Sequence, residues 1–277
     1  MCENIVVTIG NIAMSDENDQ DKYLVPGLVR GLRILESFTE ERREMTLSEI
    51  SNILDINRSS AFRLVQTLEY CGYLNRTPHK TYSLNVKVLQ LGYTAIESMT
   101  IPRHAVAIMQ KLRDQTKVAV HLSMLDNIEI VYLTNVQAMG TFTSNIRVGT
   151  RWPAYATVIG QILLGSLTDE EIRERYRHLP EWIKYSASTS ENIEELIEKV
   201  HHARNAPYLI SWKNFKPDMI ACAVPIYNKI NQKTQYVLSV SCPATSYSNQ
   251  KEFEKKVVPM VIEAANEISD FSIIQSS

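Results

Sequence analysis

The feature that most restricts the fold of this sequence is a series of three short helical patterns in residues 26–71, followed directly by two strand-like runs. The first pattern opens at Pro26, which the first turn of a helix accommodates. Its apolar residues recur every three or four positions: Leu28, Leu32, Leu35 and Phe38. After a charged stretch the second pattern opens with a capping box, in which Thr46 and Glu49 satisfy each other's free backbone donors. Both patterns predict amphipathic helices.

The third pattern predicts a helix from Arg58 to Cys71 that stops at Gly72, because glycine readily adopts the left-handed conformation that ends helices. Its inward face would consist of Ala61, Leu64, Val65, Leu68 and Cys71. Residues 73–76 and 81–84 then flank a turn that contains proline, which indicates a β-hairpin. A hairpin placed directly after a helix-turn-helix is a wing.

The outward face of the third helix has the residue types that bind a nucleic-acid duplex. Small hydroxyl side chains allow close approach to phosphates, and arginine binds a phosphate or reads guanine. Residues 58–80 contain four basic residues and one acidic residue, a net charge of +3 in a chain whose total is −2. The predicted DNA contacts are Thr46, Arg58, Ser59, Ser60, Phe62, Arg63, Gln66 and Thr67, with Arg76, His79 and Lys80 at the wing. A protein-binding module with solvated arginines is the alternative.

Several classes of protein are excluded by the remaining composition. Since 29 basic residues nearly balance 31 acidic ones, any nucleic-acid affinity must be local. The four cysteines are far apart and no H-E-x-x-H is present, so neither a disulfide framework nor a metal site is expected, and no cofactor is predicted. No run approaches a membrane span, and the acidic leader lacks the features of a signal peptide. We therefore expect a cytoplasmic protein.

Strand-like and helix-like stretches alternate from residue 101 onward. The predicted strands cover residues 118–124, 128–135, 141–147, 207–211, 219–227 and 235–241. The predicted helices cover residues 101–116, 157–166, 169–177, 190–205 and 248–271. This order favours an α+β fold with an antiparallel sheet over a doubly wound nucleotide-binding fold. No phosphate-binding glycine motif and no G-x-S-x-G elbow occurs, so we expect no enzymatic activity.

Residues 86–100 connect the two parts and predict one further helix. Val86, Leu89, Tyr93 and Ile96 are spaced like the a and d positions of a short coiled-coil seam. A second copy of the chain would fit this seam, because two reading helices contact more base pairs than one. Packing of the same stripe on its own domain is the alternative.

The order and spacing of these motifs resemble those of IclR-type bacterial transcriptional regulators over residues 25–272. The resemblance is carried by VRGLRIL at 29–35, LSEI at 47–50, NRSSAFRL at 57–64, GYL at 72–74, YSL at 82–84, LQLG at 89–92, VHL at 120–122, RVG at 147–149, FKP at 215–217, AVPI at 223–226 and SVS at 239–241. It implies a winged helix-turn-helix, a linker helix and a GAF-like effector domain with an antiparallel sheet. It also implies homodimers, often paired into tetramers, on operator DNA.

The resemblance also implies an effector pocket, lined by Trp152, Ala154, Tyr155, Ala156, Thr157, Gly160, Ser211, Trp212, Ala221, Cys222, Ser239 and Ser241. The sequence departs from the family at YATVIGQ (155–161), where a His-Ala-Thr-Ala-x-Gly-Lys stretch is common, and at SWKN (211–214), where acidic residues are usual. Trp152, Tyr155 and Trp212 would favour a flat ligand, and Arg151 or Lys213 could neutralise a carboxylate. Alternatively, these aromatic residues form core or dimer packing.

These interpretations divide the chain into four segments. We expect a flexible leader (1–23), a winged helix-turn-helix (24–85), a linker and dimerisation helix (86–100) and an effector-binding domain (101–277). The predicted function is transcriptional regulation of operator DNA, modulated by a small organic acid or an aromatic carboxylate. The competing function is a protein-interaction or architectural module whose second domain binds no ligand.

Overall fold

The N-terminal part of the chain folds as three helices and a small antiparallel sheet. The computed structural model describes residues 23–139, 144 and 146–271, and the chain divides into two compact units between Ala95 and Ile96. The first unit contains α1 (Pro26–Glu36), β1 (Met45–Thr46), α2 (Leu47–Ile53), α3 (Arg58–Tyr70), β2 (Leu74–Arg76), β3 (Thr81–Leu84) and most of α4 (Val88–Glu97). Its strands lie in the order β1-β3-β2. The predicted helices 1 to 3 and the hairpin are confirmed.

Local side-chain contacts explain where these helices begin and end. The hydroxyl of Thr46 accepts a hydrogen bond from the backbone N–H of Glu49 at 3.2 Å, and the Glu49 carboxylate accepts one from the Thr46 N–H at 2.7 Å. These bonds form the predicted capping box, and the Thr46 N–H lowers the pKa of Glu49. Asn57 caps α3 by accepting from the Ser60 N–H at 2.8 Å. Gly72 follows α3 with a φ of +77°.

In the core of the first unit, the buried faces of two helices differ from the predicted ones. The buried cluster consists of Ile34, Met45, Ile50, Val65, Leu74 and Tyr82. Leu28 and Leu32, which we predicted to share the apolar face of α1, are exposed because α1 instead turns Gly31 and Ile34 inward. Cys71 is also exposed, since it caps the end of α3 rather than continuing its buried stripe.

The segment predicted as one linker helix, residues 86–100, contains the whole of α4 and the first residue of the next helix. α4 ends at Glu97, and α5 (Thr100–Thr116) begins three residues later. No residue of α4 is buried within the chain. Val86, Leu89 and Tyr93 of the predicted seam expose 73%, 70% and 67% of their surface, and Ile96 is half-buried. Among the described residues, no helix is both long and apolar enough to cross a membrane.

The second unit is built on one antiparallel sheet of six strands in the order β6-β5-β4-β9-β8-β7. Its strands are β4 (Ala119–Asp126), β5 (Glu129–Val136), β6 (Arg151–Pro153), β7 (Leu209–Trp212), β8 (Met219–Tyr227) and β9 (Thr234–Pro243). Besides α5, its helices are α6 (Val158–Leu164), α7 (Asp169–Tyr176), α8 (Ile193–Arg204), α9 (Gln250–Lys256) and α10 (Val258–Asp270). The predicted α+β class is therefore confirmed.

Successive strand residues point to opposite faces of this sheet, so it has two separate apolar layers. One face, which includes Val120, Cys222 and Val240, packs against α5 and α10. The other face, which includes Tyr132, Ala223 and Val237, packs against α6 and against the short 3-10 turn Ala154–Ala156 that precedes it. Side chains on the two faces of the sheet therefore contact different helices.

Three sequence expectations for this unit need revision. The short edge strand β6 was not predicted. The single helix expected at 248–271 is interrupted at Val257, because Pro259 in the first turn of α10 lacks a backbone N–H and cannot continue α9. The expected strand at 141–147 falls largely outside the described residues, and its described members Ser144, Ile146 and Arg147 are not in a strand. Residues 1–22 of the expected leader also lie outside them.

Candidate nucleic-acid interface and ligand site

The outward face of α3 presents the predicted contact residues to solvent. Arg58, Ser59, Phe62, Arg63 and Thr67 are exposed, whereas Ser60 and Gln66 are half-buried. Phe62 exposes 45% of its surface, which is unusual for an aromatic side chain in a small domain. Neither Arg58 nor Arg63 pairs with a carboxylate of the described residues. Their guanidinium groups are therefore available for a phosphate or for a base.

Several polar side chains on the same face already have partners within the helix. Ser59 donates to the Asn57 side chain at 2.7 Å. Thr67 donates to the Arg63 carbonyl at 2.8 Å, and Gln66 donates to Glu69 at 2.8 Å. A base or phosphate would have to replace the Gln66–Glu69 bond to use that amide. The arginines and Phe62 are thus the freest groups on this face.

The remaining predicted DNA contacts lie on the small sheet. Arg76 ends β2, and His79 and Lys80 occupy the exposed turn before β3. Lys80 has a φ of +62°, a conformation that the hairpin imposes on a residue with a side chain. Thr46 is exposed at the start of α2, but its hydroxyl is already bonded to Glu49 at 2.7 Å. A phosphate contact at Thr46 would compete with the capping box.

The predicted effector residues are divided between the two faces of the large sheet. Ser241 is paired with Ala221, and Ala221 with Ser211, so these three side chains share the face under α6. Ser239 lies on the same face, two positions along β9. Cys222 is buried in the opposite layer, and Trp212 packs against that layer too. Trp212 and Cys222 thus point to the side of the sheet opposite Ser239, because neighbouring strand residues alternate between the two faces. Their assignment to the effector site stays a prediction.

The segment that leads into α6 is shaped by one close backbone approach. Thr157 caps α6 by accepting from the Gly160 N–H at 3.0 Å. A Cβ on Gly160 would lie 2.1 Å from the carbonyl oxygen of Ala154, far inside van der Waals contact. Only glycine fits there, so Gly160 sets the position of α6 over the turn Ala154–Ala156.

Two of the predicted ligand-stacking aromatics, Trp152 and Tyr155, pack against other aromatic residues of the second unit. Trp152 meets Tyr185 and Phe215 edge-on, at centroid distances of 5.9 and 5.2 Å. Tyr155 meets Trp182 at 4.9 Å and exchanges hydrogen bonds with the backbone of Ile183. These contacts support the core-packing alternative for Trp152 and Tyr155, and their assignment to the effector site stays a prediction.

Of the two cations considered for a carboxylate ligand, one is already paired and the other is exposed to solvent. Arg151 donates to Glu129 at 2.6 Å and to Asp126 at 2.5 Å, so its charge is already balanced. Lys213 is exposed at a turn with a φ of +59°. Among the described residues, no group of three potential ligands from His, Cys, Asp and Glu could hold a metal ion.

Ser239 belongs to a buried polar patch on the face under α6, and sequence reasoning missed its other three members. We call His121, Ser123, Asn135 and Ser239 the β4 polar patch. His121 is paired with Ser239 on one side and with Asn135 on the other, and Ser123 follows two positions along β4. His121, Ser123 and Ser239 are at most 2% exposed. The sequence contains part of the signal, since polar residues alternate with apolar ones in both strands. Only the strand pairing brings these residues together.

The patch contains unpaired hydrogen-bonding atoms. His121 Nδ1, Ser123 Oγ, Asn135 Oδ1 and Ser239 Oγ are buried and have no partner among the described residues. The Nε2 atom of His121 lies 3.1 Å from Ser241 Oγ, and Tyr132 meets the imidazole edge-on at 5.6 Å. Burial lowers the pKa of His121 to about 4, so the ring is neutral at neutral pH. Buried polar atoms without partners are rare and indicate a site for a ligand or for water.

Two family sequence models match the chain. The model of the IclR helix-turn-helix domain matches residues 27–78, and the model described as the bacterial transcriptional regulator IclR C-terminal domain matches residues 93–270. The Pca regulon regulatory protein of Pseudomonas putida is 27% identical over 249 residues, which cover 90% of this chain and 84% of that protein.

Solved structures share the fold. The IclR transcriptional regulator from Alicyclobacillus acidocaldarius is 25% identical with a TM-score of 0.76, and the match covers 90% of this chain and all of that one. An IclR homologue from Microbacterium hydrocarbonoxydans, solved with 4-hydroxybenzoate, is 22% identical with a TM-score of 0.73. That match covers 88% of this chain and 98% of the homologue, and at this identity it concerns the fold alone.

Proposed function

Because this chain belongs to the IclR family of bacterial transcriptional regulators, we propose that it reads operator DNA through the outward face of α3 and the β2–β3 hairpin. The chain is a DNA-binding regulator with a helix-turn-helix domain. The observation that supports the assignment of residues is the exposure of Arg58, Phe62 and Arg63 on one helix, with both guanidinium groups free of described carboxylates. A helix in the major groove reads bases with such side chains.

Selection of bound fragments from genomic DNA, followed by gel-shift titration, tests this proposal. Arg63→Ala should weaken operator binding by about 1–3 kcal/mol if the guanidinium reads a base. Arg177→Ala, which removes an exposed arginine of the second unit, is the matched control and should leave the affinity unchanged. Equal affinities of wild type and Arg63→Ala would exclude the residue from base recognition.

We propose further that a small organic acid or aromatic carboxylate binds on the face of the large sheet under α6 and changes operator affinity. The buried unpaired atoms of the β4 polar patch support this location, together with Ser211, Ala221 and Ser241 on the same face. A ligand regulates only if it binds the two functional states with different affinities. We expect no catalytic activity, no cofactor and a cytoplasmic location.

A thermal-shift screen of the full chain tests the effector proposal, and 4-hydroxybenzoate is a suitable first probe because a protein of this fold was solved with it. A saturable rise in Tm is expected, since a ligand that binds only the folded state stabilises it. The same compound should change the gel-shift titration of the operator. If no carboxylate in the screen shifts Tm, the effector proposal is rejected and the DNA-binding proposal stands separately.

We also propose that two copies of the chain pair through the apolar seam of residues 86–96, and that dimers can pair again into tetramers. Val86, Leu89 and Tyr93 are largely exposed, and Leu91 on the same segment exposes 56% of its surface. An apolar stripe of this kind on a short helix is typical of a surface that another helix covers. Pairing would bring two reading helices to adjacent major-groove segments.

A further inference from the structure

Phe62 is the apolar side chain among the predicted DNA contacts of α3. The side chain of Asn57 caps this helix and fixes where it begins, so that Ala61 and Val65 are buried. At 3.6 residues per turn, position 62 is rotated by about 100° from position 61. The Phe62 side chain therefore points away from the core, exposes 45% of its surface and does not pack against the buried cluster of the first unit. The fold of this unit does not explain why an aromatic ring lies here.

The neighbours of Phe62 restrict the kind of surface that can cover the ring. Arg58 lies one turn before it and Arg63 follows it directly, and neither guanidinium group pairs with a carboxylate of the described residues. Ser59 and Gln66, about one turn away on either side, already donate hydrogen bonds within the helix. An apolar protein surface would leave both cations buried without partners, which is costly. A DNA duplex supplies phosphates and guanine bases to them.

The major groove of a duplex offers one apolar group to an aromatic ring. All four bases present hydrogen-bonding atoms there, and thymine also presents its C5-methyl group, on which a phenylalanine side chain packs. Side chains four residues apart on a helix are about 6 Å apart along its axis, roughly two base-pair steps of 3.4 Å. A thymine read by Phe62 would therefore lie within about two base pairs of the group that Arg58 binds.

We propose that Phe62 is a specificity-determining contact that packs on the C5-methyl group of one thymine in each operator half-site. This inference rests on the proposed DNA-binding function and deepens it, because it names the chemical group that the side chain reads. The recognised feature is the methyl group and not the hydrogen-bonding pattern of the A·T pair. A different pyrimidine with a methyl group at the same ring position is therefore partly recognised.

Operator variants that lack one methyl group test the proposal without altering the protein. Each thymine of a half-site from the selected genomic DNA is replaced in turn by uracil, which pairs with adenine in the same way. Gel-shift titration of the full chain should show a loss of about 3- to 5-fold at one position, the effect of a single buried methyl group. If no replacement changes the affinity, the inference is overturned while the DNA-binding proposal stands. If the chain selects no DNA, both are overturned.

A second change of the DNA separates the methyl group from the base pair that carries it. The thymine identified by the uracil series is replaced by cytosine or by 5-methylcytosine, each opposite guanine. The methylated base should bind about 3- to 5-fold more tightly than cytosine, because it restores the apolar contact. Equal affinities for the two bases would show that the hydrogen-bonding pattern is read, against the proposal.

Removal of the ring should abolish the preference for thymine over uracil. Phe62→Ala should weaken binding to the thymine operator by about 3- to 10-fold and bind the uracil operator almost equally well. Phe62→Leu keeps an apolar side chain of similar reach and should retain the preference. An unchanged thymine-to-uracil ratio in Phe62→Ala would exclude the ring as the reader of the methyl group.

An exposed aromatic residue at the other end of α3 provides the matched control. Tyr70, the last residue of the helix, exposes 93% of its surface and lies about 12 Å beyond Phe62 along the axis. Because the N-terminal part of a reading helix contacts the bases, Tyr70→Ala should keep the thymine-to-uracil ratio of wild type. Phe62→Ala should also keep Tm, since its ring packs on no part of the core cluster. A lower Tm with an unchanged ratio would assign the ring to the fold and overturn the proposal.

Discussion

At the residue scale, His121 links ligand chemistry to the stability of the fold. It is 1% exposed, and burial lowers its pKa from 6.5 to about 4. Between these two values the unfolded chain binds a proton that the folded chain does not. Stability therefore rises with pH across this window and is lost as the pH falls through it.

We expect acidification from pH 7 to pH 4 to remove about 3 kcal/mol of unfolding free energy through this residue. Urea unfolding of wild type and His121→Asn at several pH values checks this, because asparagine does not titrate. The unfolding free energy of His121→Asn should rise relative to that of wild type as the pH drops from 6.5 to 4. Parallel pH profiles would contradict the prediction.

Gly160 shows how a single missing side chain fixes the position of a helix. A Cβ at this residue would also lie 2.4 Å from Ala154 Cα, so backbone would have to move. Gly160→Ala should lower the free energy of unfolding by about 2 kcal/mol or more, because the added methyl group overpacks against backbone atoms. Gly27→Ala is the control, because that exposed glycine of α1 has open space around its Cβ position and its substitution should not lower the free energy of unfolding. Thermal unfolding of both variants compares the two effects.

At the scale of elements, the β2–β3 hairpin and α3 have separate roles in the proposed interface. Lys80 is exposed at the hairpin turn, where a lysine contacts phosphates and not bases. Lys80→Ala should weaken binding to all sequences alike and reduce the salt slope of log Kobs by about 0.9. Lys251→Ala, on α9, is the control. Gel-shift titrations at several salt concentrations measure the slope, and a loss confined to one sequence would contradict a phosphate role.

Elements with strong local signals were predictable from sequence. The capping box of Thr46 and Glu49, the glycine stop after α3 and the bounds of β8 all follow from neighbouring residues. β6 is too short to have a periodic pattern. The alternation of side chains along a strand could have shown that Trp212 and Cys222 point to the face opposite Ser211 and Ala221. The β4 polar patch needed the strand pairing, because residues 121 and 239 are distant in sequence.

The apolar face of α1 illustrates a different limit. Its periodicity marked Leu28 and Leu32 as apolar positions, yet both are exposed in the chain alone. A periodic sequence pattern shows that one face of a helix is apolar. It does not show whether the same chain or another copy covers that face.

At the scale of the whole molecule, the proposed pairing makes DNA binding depend on the linker seam. Leu89→Lys places a charge within the apolar surface and should shift the protein toward monomers, with a loss of operator affinity. Gln90→Lys adds the same charge at the adjacent exposed position and is the control. Sedimentation velocity measures the oligomeric state, and an unchanged distribution for Leu89→Lys would show that the seam is not the interface.

One consequence of α4 concerns protein concentration. The helix is ten residues long and buries none of them within the chain. Isolated helices of this length are marginal in water, so most of its order must come from whatever covers it. If a second copy of the chain covers α4, the fraction of chains in which this segment is helical depends on protein concentration by mass action. Dilution alone would then unwind the segment, and circular dichroism would register fewer helical residues per chain in a nanomolar sample than in a micromolar one.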